Sequence, residues 1–159
     1  MFRKMRRFKQ QLSDDECVRI LKNGKTAVLA LYGDNGYPYA VPVNYAYADG
    51  KIYFHGAGEG HKYDALKSRS EISLCVIERD DVDSEKLTTL YKSVIVFGRA
   101  KILENDEEIF RSAEVFGLKY NSDKAAVDKE IERLKSALCC VEVTIEHMTG
   151  KQGKELVGA

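Results

Sequence analysis

Residues able to do chemistry crowd into one short stretch, His55-Gly56-Ala57-Gly58-Glu59-Gly60-His61-Lys62. Gly56, Gly58 and Gly60 let a backbone come close to a ligand. His61 and Lys62 follow at once, where a short helix over Tyr63 to Ser68 is predicted to begin. Backbone N–H groups at a helix start, with a cation beside them, suit a phosphate. The plainer reading is a turn with a solvated lysine, and the loop alone does not separate the two. His55 stands just before the loop. An imidazole titrates near neutral pH and can pass a proton to a substrate, but a lone histidine is as readily a hydrogen-bonded structural residue. His147 has no comparable context.

The elements that must position these residues read clearly. From Tyr37 to Ala48 the chain alternates: Tyr37, Tyr39, Val41, Val43, Tyr45 and Tyr47 on one face, Pro38, Ala40, Pro42, Asn44, Ala46 and Ala48 on the other. That period of two is a strand signal. Both prolines fall on the small-residue face, which implies an edge-like or irregular part. Asp49-Gly50 is a hairpin turn, and Lys51 to Ala57 returns as a second strand. Before this hairpin, Ser13-Asp14-Asp15-Glu16 is a capping box for a helix that Gly24 should stop, with Leu12 and Cys17 placed for a staple. Lys25 to Tyr32 is apolar nearly throughout and predicts a strand covered on both faces. After the loop, Glu71 to Arg79 alternates, Asp80 to Lys86 reads as a polar loop, and Thr88 to Leu103 is a long strand with a bend at Gly98. Asn105 and Ser122 are candidate caps of two helices carrying the stripes Ile109, Phe110, Ala113, Phe116, Tyr120 and Val127, Ile131, Leu134, Leu138. These stripes read as packing surface. A last strand starts at Cys139, with Val141, Val143 and Ile145 inward.

The 159 residues suit a single domain, residues 1–159, with a basic arm from Met1 to Gln10 and a polar tail from Gly150 to Ala159. Apolar residues are 44% and charged residues 31%, ordinary for a globular protein. Lys plus Arg and Asp plus Glu both number 25, so no global field favours nucleic acid or a membrane surface. No apolar run is long enough to span a bilayer, no signal-peptide core follows the basic arm, and the cytoplasm is the expected location. The arm reads as solvated or lying on a partner subunit. The four cysteines lack any C-x-x-C spacing and read as reduced thiols, so no metal site is expected. The acidic run at 80–86 lacks the glycine and final glutamate of a calcium loop. Many turn-separated strands with a late helical pair predict a mainly β chain, a barrel or sandwich with peripheral helices.

Several of these strings together resemble the flavin-binding split-barrel proteins related to pyridoxamine-phosphate oxidase, and most of all the nitroimidazole-resistance branch. They are Gly36-Tyr37-Pro38, Pro42-Val43-Asn44-Tyr45, Asp49-Gly50, Tyr53-Phe54-His55-Gly56-Ala57, Gly60-His61-Lys62, the run Lys92 to Ala100, and Met148-Thr149-Gly150-Lys151. They keep the family's order across nearly the full chain. The resemblance implies a six-stranded antiparallel split barrel of Greek-key type. It implies a homodimer with flavin sites at the interface. Flavin mononucleotide, FMN, is the implied cofactor, with flavin adenine dinucleotide, FAD, as the alternative. It places Pro42, Val43, Asn44 and Tyr45 against the ring, Phe54, His55, Gly56 and Ala57 along ring and ribityl, His61 and Lys62 at the phosphate, and Ser93 as a polar contact from either subunit. The implied function is an FMN-binding oxidoreductase reducing a small flat acceptor, a nitroaromatic among the candidates, with reduced nicotinamide cofactor as the candidate donor and His55 as the catalytic residue. Alternatives are a pyridoxamine-phosphate oxidase-like enzyme, a flavin carrier or sensor without turnover, and a haem- or deazaflavin-binding relative. The first is disfavoured because Ser93 replaces a larger amide and the chain has no Trp.

Overall fold

The chain closes a β-sheet on itself through one bent strand. The computed structural model describes residues 1–158. Seven strands, β1 (Thr26–Tyr32), β2 (Pro38–Asn44), β3 (Ala46–Ala48), β4 (Lys51–Gly56), β5 (Glu71–Asp83), β6 (Thr88–Ile102) and β7 (Cys139–Gln152), form one sheet in the order β2-β1-β5-β6-β7-β4-β3. Every pairing in it is antiparallel. Strands β2 and β3 are the two halves of the strand predicted over 37–48. The first half pairs with β1 and the second with β4, so the bend between them closes the barrel. The predicted six strands become seven because the ladder breaks at Tyr45. Its ring is fully buried, its hydroxyl donates to the Leu21 carbonyl at 2.8 Å, and its own carbonyl accepts from Lys119 Nζ at 3.0 Å and the Tyr120 hydroxyl at 3.1 Å. Within β2 the predicted alternation holds: Val43 is buried, and Pro38, Ala40, Pro42 and Asn44 are exposed. Strand β2 has a ladder partner on one side only, where proline is tolerated.

Four helices surround the sheet: α1 (Asp14–Asn23), α2 (His61–Ser68), α3 (Asp106–Tyr120) and α4 (Lys124–Leu134). The barrel interior packs Leu29, Ile52, Phe54, Leu74, Val94, Val96, Val141 and Val143. A smaller core of Leu103, Ala113, Val127, Ile131 and Cys140 lies where α3 and α4 cover the outside of the sheet. Ser13 caps α1 by accepting from the Glu16 N–H at 3.2 Å, and Asn105 caps α3 by accepting from Glu107 and Glu108 N–H groups at 2.9 and 3.2 Å. At Gly98 the β6–β7 register shifts, and a Cβ there would strike the Thr144 carbonyl, so the bend needs glycine. No described helix is long and apolar enough to cross a membrane.

Gly24 ends α1 as predicted, standing at its C-cap with a φ of −65°. It is there because a Cβ would come within 2.5 Å of the Tyr45 hydroxyl oxygen. Three local predictions are corrected, on the cover of β1, on residues 80–83 and on the cap of α4. Strand β1 is covered on one face only: Ala27, Leu29 and Leu31 are buried, while Val28 and Tyr32 are exposed. Asp80 to Asp83 are not loop but the far end of β5, paired with Thr88 to Tyr91. Asp123, not Ser122, caps α4, its carboxylate accepting from the Ala126 N–H at 3.1 Å. Within the polar tail predicted from Gly150, β7 continues to Gln152 and a 3-10 turn follows over Lys154–Leu156. Ala159, the last residue of that predicted tail, lies outside the described residues. The basic arm is also tied down. Gln11 bridges to Lys151, and the Phe2 ring stacks on His147 at 4.6 Å and on Phe97 at 5.4 Å.

Candidate functional site

Pairing of β3 with β4 stops at Tyr53, yet β4 runs on through Phe54, His55 and Gly56 with a partner only in β7. The edge of β4 facing β2 is therefore bare at the point where the barrel splits. The 56–62 loop and α2 fill that end. Tyr63 of α2 is buried, and its hydroxyl donates to the Cys139 carbonyl at 3.2 Å. Gly56 and Gly58 serve this packing. A Cβ on Gly56 would sit 2.6 Å from the Tyr63 hydroxyl oxygen, and one on Gly58 would sit 2.9 Å from the Cys139 Cβ. Gly60 is different: nothing crowds it, and its φ of +92° is what demands glycine.

The turn at Gly60 aims the start of α2 outward. The Tyr63 and Asp64 N–H groups both close on the Gly60 carbonyl at 3.0 and 3.1 Å, leaving those of His61 and Lys62 at the open end of the helix. The Lys62 ammonium lies 5.1 Å from the Tyr63 ring centre and 5.9 Å from that of Phe54, and among the described residues it makes no ion pair. His61 stacks on Tyr39 at 4.0 Å, with its Nε2 3.5 Å from Asp34 Oδ2. The half-buried Lys62 ammonium, with no carboxylate partner among the described residues and free N–H groups beside it, forms a donor set that fits a phosphate.

His55 lies on the outer surface of β4, opposite Cys140 in the ladder, with its ring edge-on to Phe116 of α3 at 4.5 Å. Burial, and then the Lys62 charge, pull its pKa below the ordinary 6.5. The neutral ring is thus favoured at pH 7, offering one N–H donor and one acceptor nitrogen rather than a stored proton.

Of the other predicted contacts, Phe54 and Ala57 adjoin this cluster and the rest lie apart from it within one chain. Val43, Tyr45 and Phe54 point into the core, and the Tyr45 carbonyl is already taken by α3. Pro42 and Asn44 face outward on β2, where the Asn44 side-chain amide donates to the Lys25 carbonyl at 3.1 Å. Ala57 is exposed in the loop. Ser93 is on β6, opposite Ile77 and Lys151, with β1 and β5 between it and β2. Three strand spacings put it about 14 Å from the Asn44 side of the sheet.

Between them lies an apolar sheet face, touched at its Phe97–His147 end by the Phe2 ring and otherwise open. The ladder lines up Pro42, Val28, Cys75, Ile95 and Thr149 in one row, and Ala40, Ala30, Ser73, Phe97 and His147 in the next. Val28, Ile95, Phe97 and Ile77 are exposed there. Sequence reasoning also missed Lys119. It is half-buried, reaches the Gly24 and Tyr45 carbonyls, and ties α3 to the strand break. Its only sequence signal was a lysine in the last turn of a helix.

Residues 13–152 match the family model described as pyridoxamine 5'-phosphate oxidase. The chain belongs to that family. No curated protein matches it. Among solved structures it is similar to a candidate 5-nitroimidazole antibiotic resistance protein from Bacteroides thetaiotaomicron, with 19% identity over 89% of this chain and 85% of the other and a TM-score of 0.74. It is also similar to a FAD-binding protein from Mesorhizobium loti, with 24% identity over 91% and 97% and a TM-score of 0.61. A FAD- and haem-binding protein from Mycobacterium smegmatis gives 18% identity over 91% and 74%, with a TM-score of 0.76. These likenesses establish the split-barrel fold.

Proposed function

We propose that this chain is a flavin-binding oxidoreductase that holds FMN at the split of the barrel and reduces a small flat acceptor, a nitroaromatic being the leading class. The observation that carries the reading is the Lys62 ammonium, without an ion pair among the described residues, beside the open start of α2 and two residues past Gly60 with its φ of +92°. That set suits a phosphate dianion. Lys62 and His61 hold the phosphate, and the Gly56–Gly60 backbone runs along the chain that bears it. A bound flavin would supply the two-electron redox chemistry. His55, held neutral by burial, orients the acceptor through a hydrogen bond and helps exclude water together with Phe116. FAD-binding relatives make FAD the alternative cofactor.

The working form is a homodimer. Ser93 lies across the apolar face from Asn44, so a second copy seated on that face brings a partner's β6 to the β2 and β4 edge of the first. Both the apolar rows on that face and the half-covered β1 support this. The test is turnover. Flavin-loaded protein with reduced nicotinamide cofactor and a nitroaromatic should consume the cofactor, and His55→Ala should reduce kcat while leaving flavin affinity within about threefold, a change under 1 kcal/mol. Flavin binding without any turnover would reduce the reading to a carrier or sensor.

A further inference from the structure

The helical pair α3–α4 leans over the outside of β4 and leaves a crevice of about 260 Å³. Its walls include Phe116, Val127, Ile131 and Leu138. The two helices are held close by Gly117, where a Cβ would fall 2.6 Å from Val127 Cγ1. One imidazole, that of His55, also lines the crevice, edge-on to Phe116. Glu130 is also in the lining, but its carboxylate is paired with the Arg133 guanidinium. Burial here therefore suits no charged ligand, because no free counter-charge lines the space to offset its desolvation. A dry apolar cavity of roughly 150 Å³ is enough for benzene, so this space holds one or two fused rings. Flat rings also match the aromatic wall, where edge-on or offset contact is favourable.

We propose that the α3–α4 crevice is a binding site for a small, uncharged aromatic molecule, seated against Phe116 and hydrogen-bonded to His55. Since His55 adjoins the 56–62 loop, the bound ring is the acceptor of the proposed reaction. Binding in the crevice stands on its own, whereas its role as acceptor seat rests on the flavin reading. The favoured neutral form of His55 fits this use, since a neutral ring can serve as donor or acceptor.

Indole is a suitable probe because the chain has no Trp, so indole fluorescence reports the probe alone. Ala126 lines the crevice yet is exposed, so Ala126→Phe fills the space without disturbing the core. Ala126→Leu is the milder companion. Wild-type protein should bind indole saturably. Ala126→Phe should weaken that binding by about tenfold or more, Ala126→Leu by less, with FMN affinity changed by no more than about twofold in either. Absence of saturable indole binding, or equal affinity in wild type and Ala126→Phe, overturns the proposal. FMN binding without indole binding sinks the crevice alone. Indole binding without FMN binding keeps the crevice and sinks the flavin reading.

Discussion

Replacing Ile95 by Asp should break the proposed dimer and leave the single chain folded. Ile95 sits at the centre of the apolar face, between Cys75 and Thr149, and is 43% exposed in the isolated chain. Full burial of an isoleucine side chain is worth about 1.5–3 kcal/mol, so covering the exposed share contributes about 1 kcal/mol. An aspartate there adds an unpaired polar group against apolar neighbours, costing about 1–3 kcal/mol more. Both copies carry the change, so the dimer loses about 4–8 kcal/mol. At 1.4 kcal/mol per tenfold, that is roughly a thousandfold or more in the dimer Kd. The folded monomer should lose no more than about 1 kcal/mol, the span of strand propensity. Sedimentation equilibrium over a range of concentrations reads the first effect, and thermal unfolding of dilute protein reads the second. A wild type that is monomeric, or an Ile95→Asp protein that keeps the wild-type dimer constant, refutes the assignment of this face.

Three further outcomes are expected. Lys62→Ala should weaken flavin binding by about 1.5–3 kcal/mol, the worth of a charge-assisted hydrogen bond, with no loss of fold, and unchanged affinity in a fluorescence titration would remove Lys62 from the phosphate site. Tyr45→Phe should cost about 1 kcal/mol by leaving the buried Leu21 carbonyl without its donor, which lowers Tm by about 2–4 °C. Hydrogen bonds from Arg19 and then Lys92 hold the Glu16 carboxyl down to about 2, from an ordinary 4.5. Its stabilising contribution is thus complete above the ordinary value and is lost as pH falls from there through about 2. Glu16→Gln should lessen the loss of stability between those limits, and an unchanged acid profile would show that the Arg19–Glu16–Lys92 contacts contribute nothing.

Much of this was legible from residue patterns. The alternation from Tyr37 to Ala48 gave the inward face of β2, and Asp49-Gly50 fixed the hairpin with φ of 48° and 77°. Caps at Ser13 and Asn105 were readable because a short polar side chain satisfies local N–H groups. What failed to read was tertiary. The apolar stretch Lys25 to Tyr32 predicts two covered faces, but the fold of a single chain covers one, because among the described residues no other element packs on the outer face of β1. Gly24 read as a helix stop and is one, but the close approach of the Tyr45 hydroxyl, which also requires glycine there, is tertiary. The site itself was half legible. Gly60, His61 and Lys62 read locally as a candidate anion site, whereas the packing of Phe116 against His55 and the reach of Lys119 to Tyr45 depend on how α3 crosses the barrel.

The most direct measurement is the visible absorbance spectrum of the purified protein, followed by denaturation and mass identification of whatever is released. A yellow protein that releases FMN, with the yellow colour restored to stripped protein by added FMN, is the predicted result. A colourless protein that also fails to bind added FMN or FAD would contradict the assignment of Lys62 and the start of α2 to a flavin phosphate.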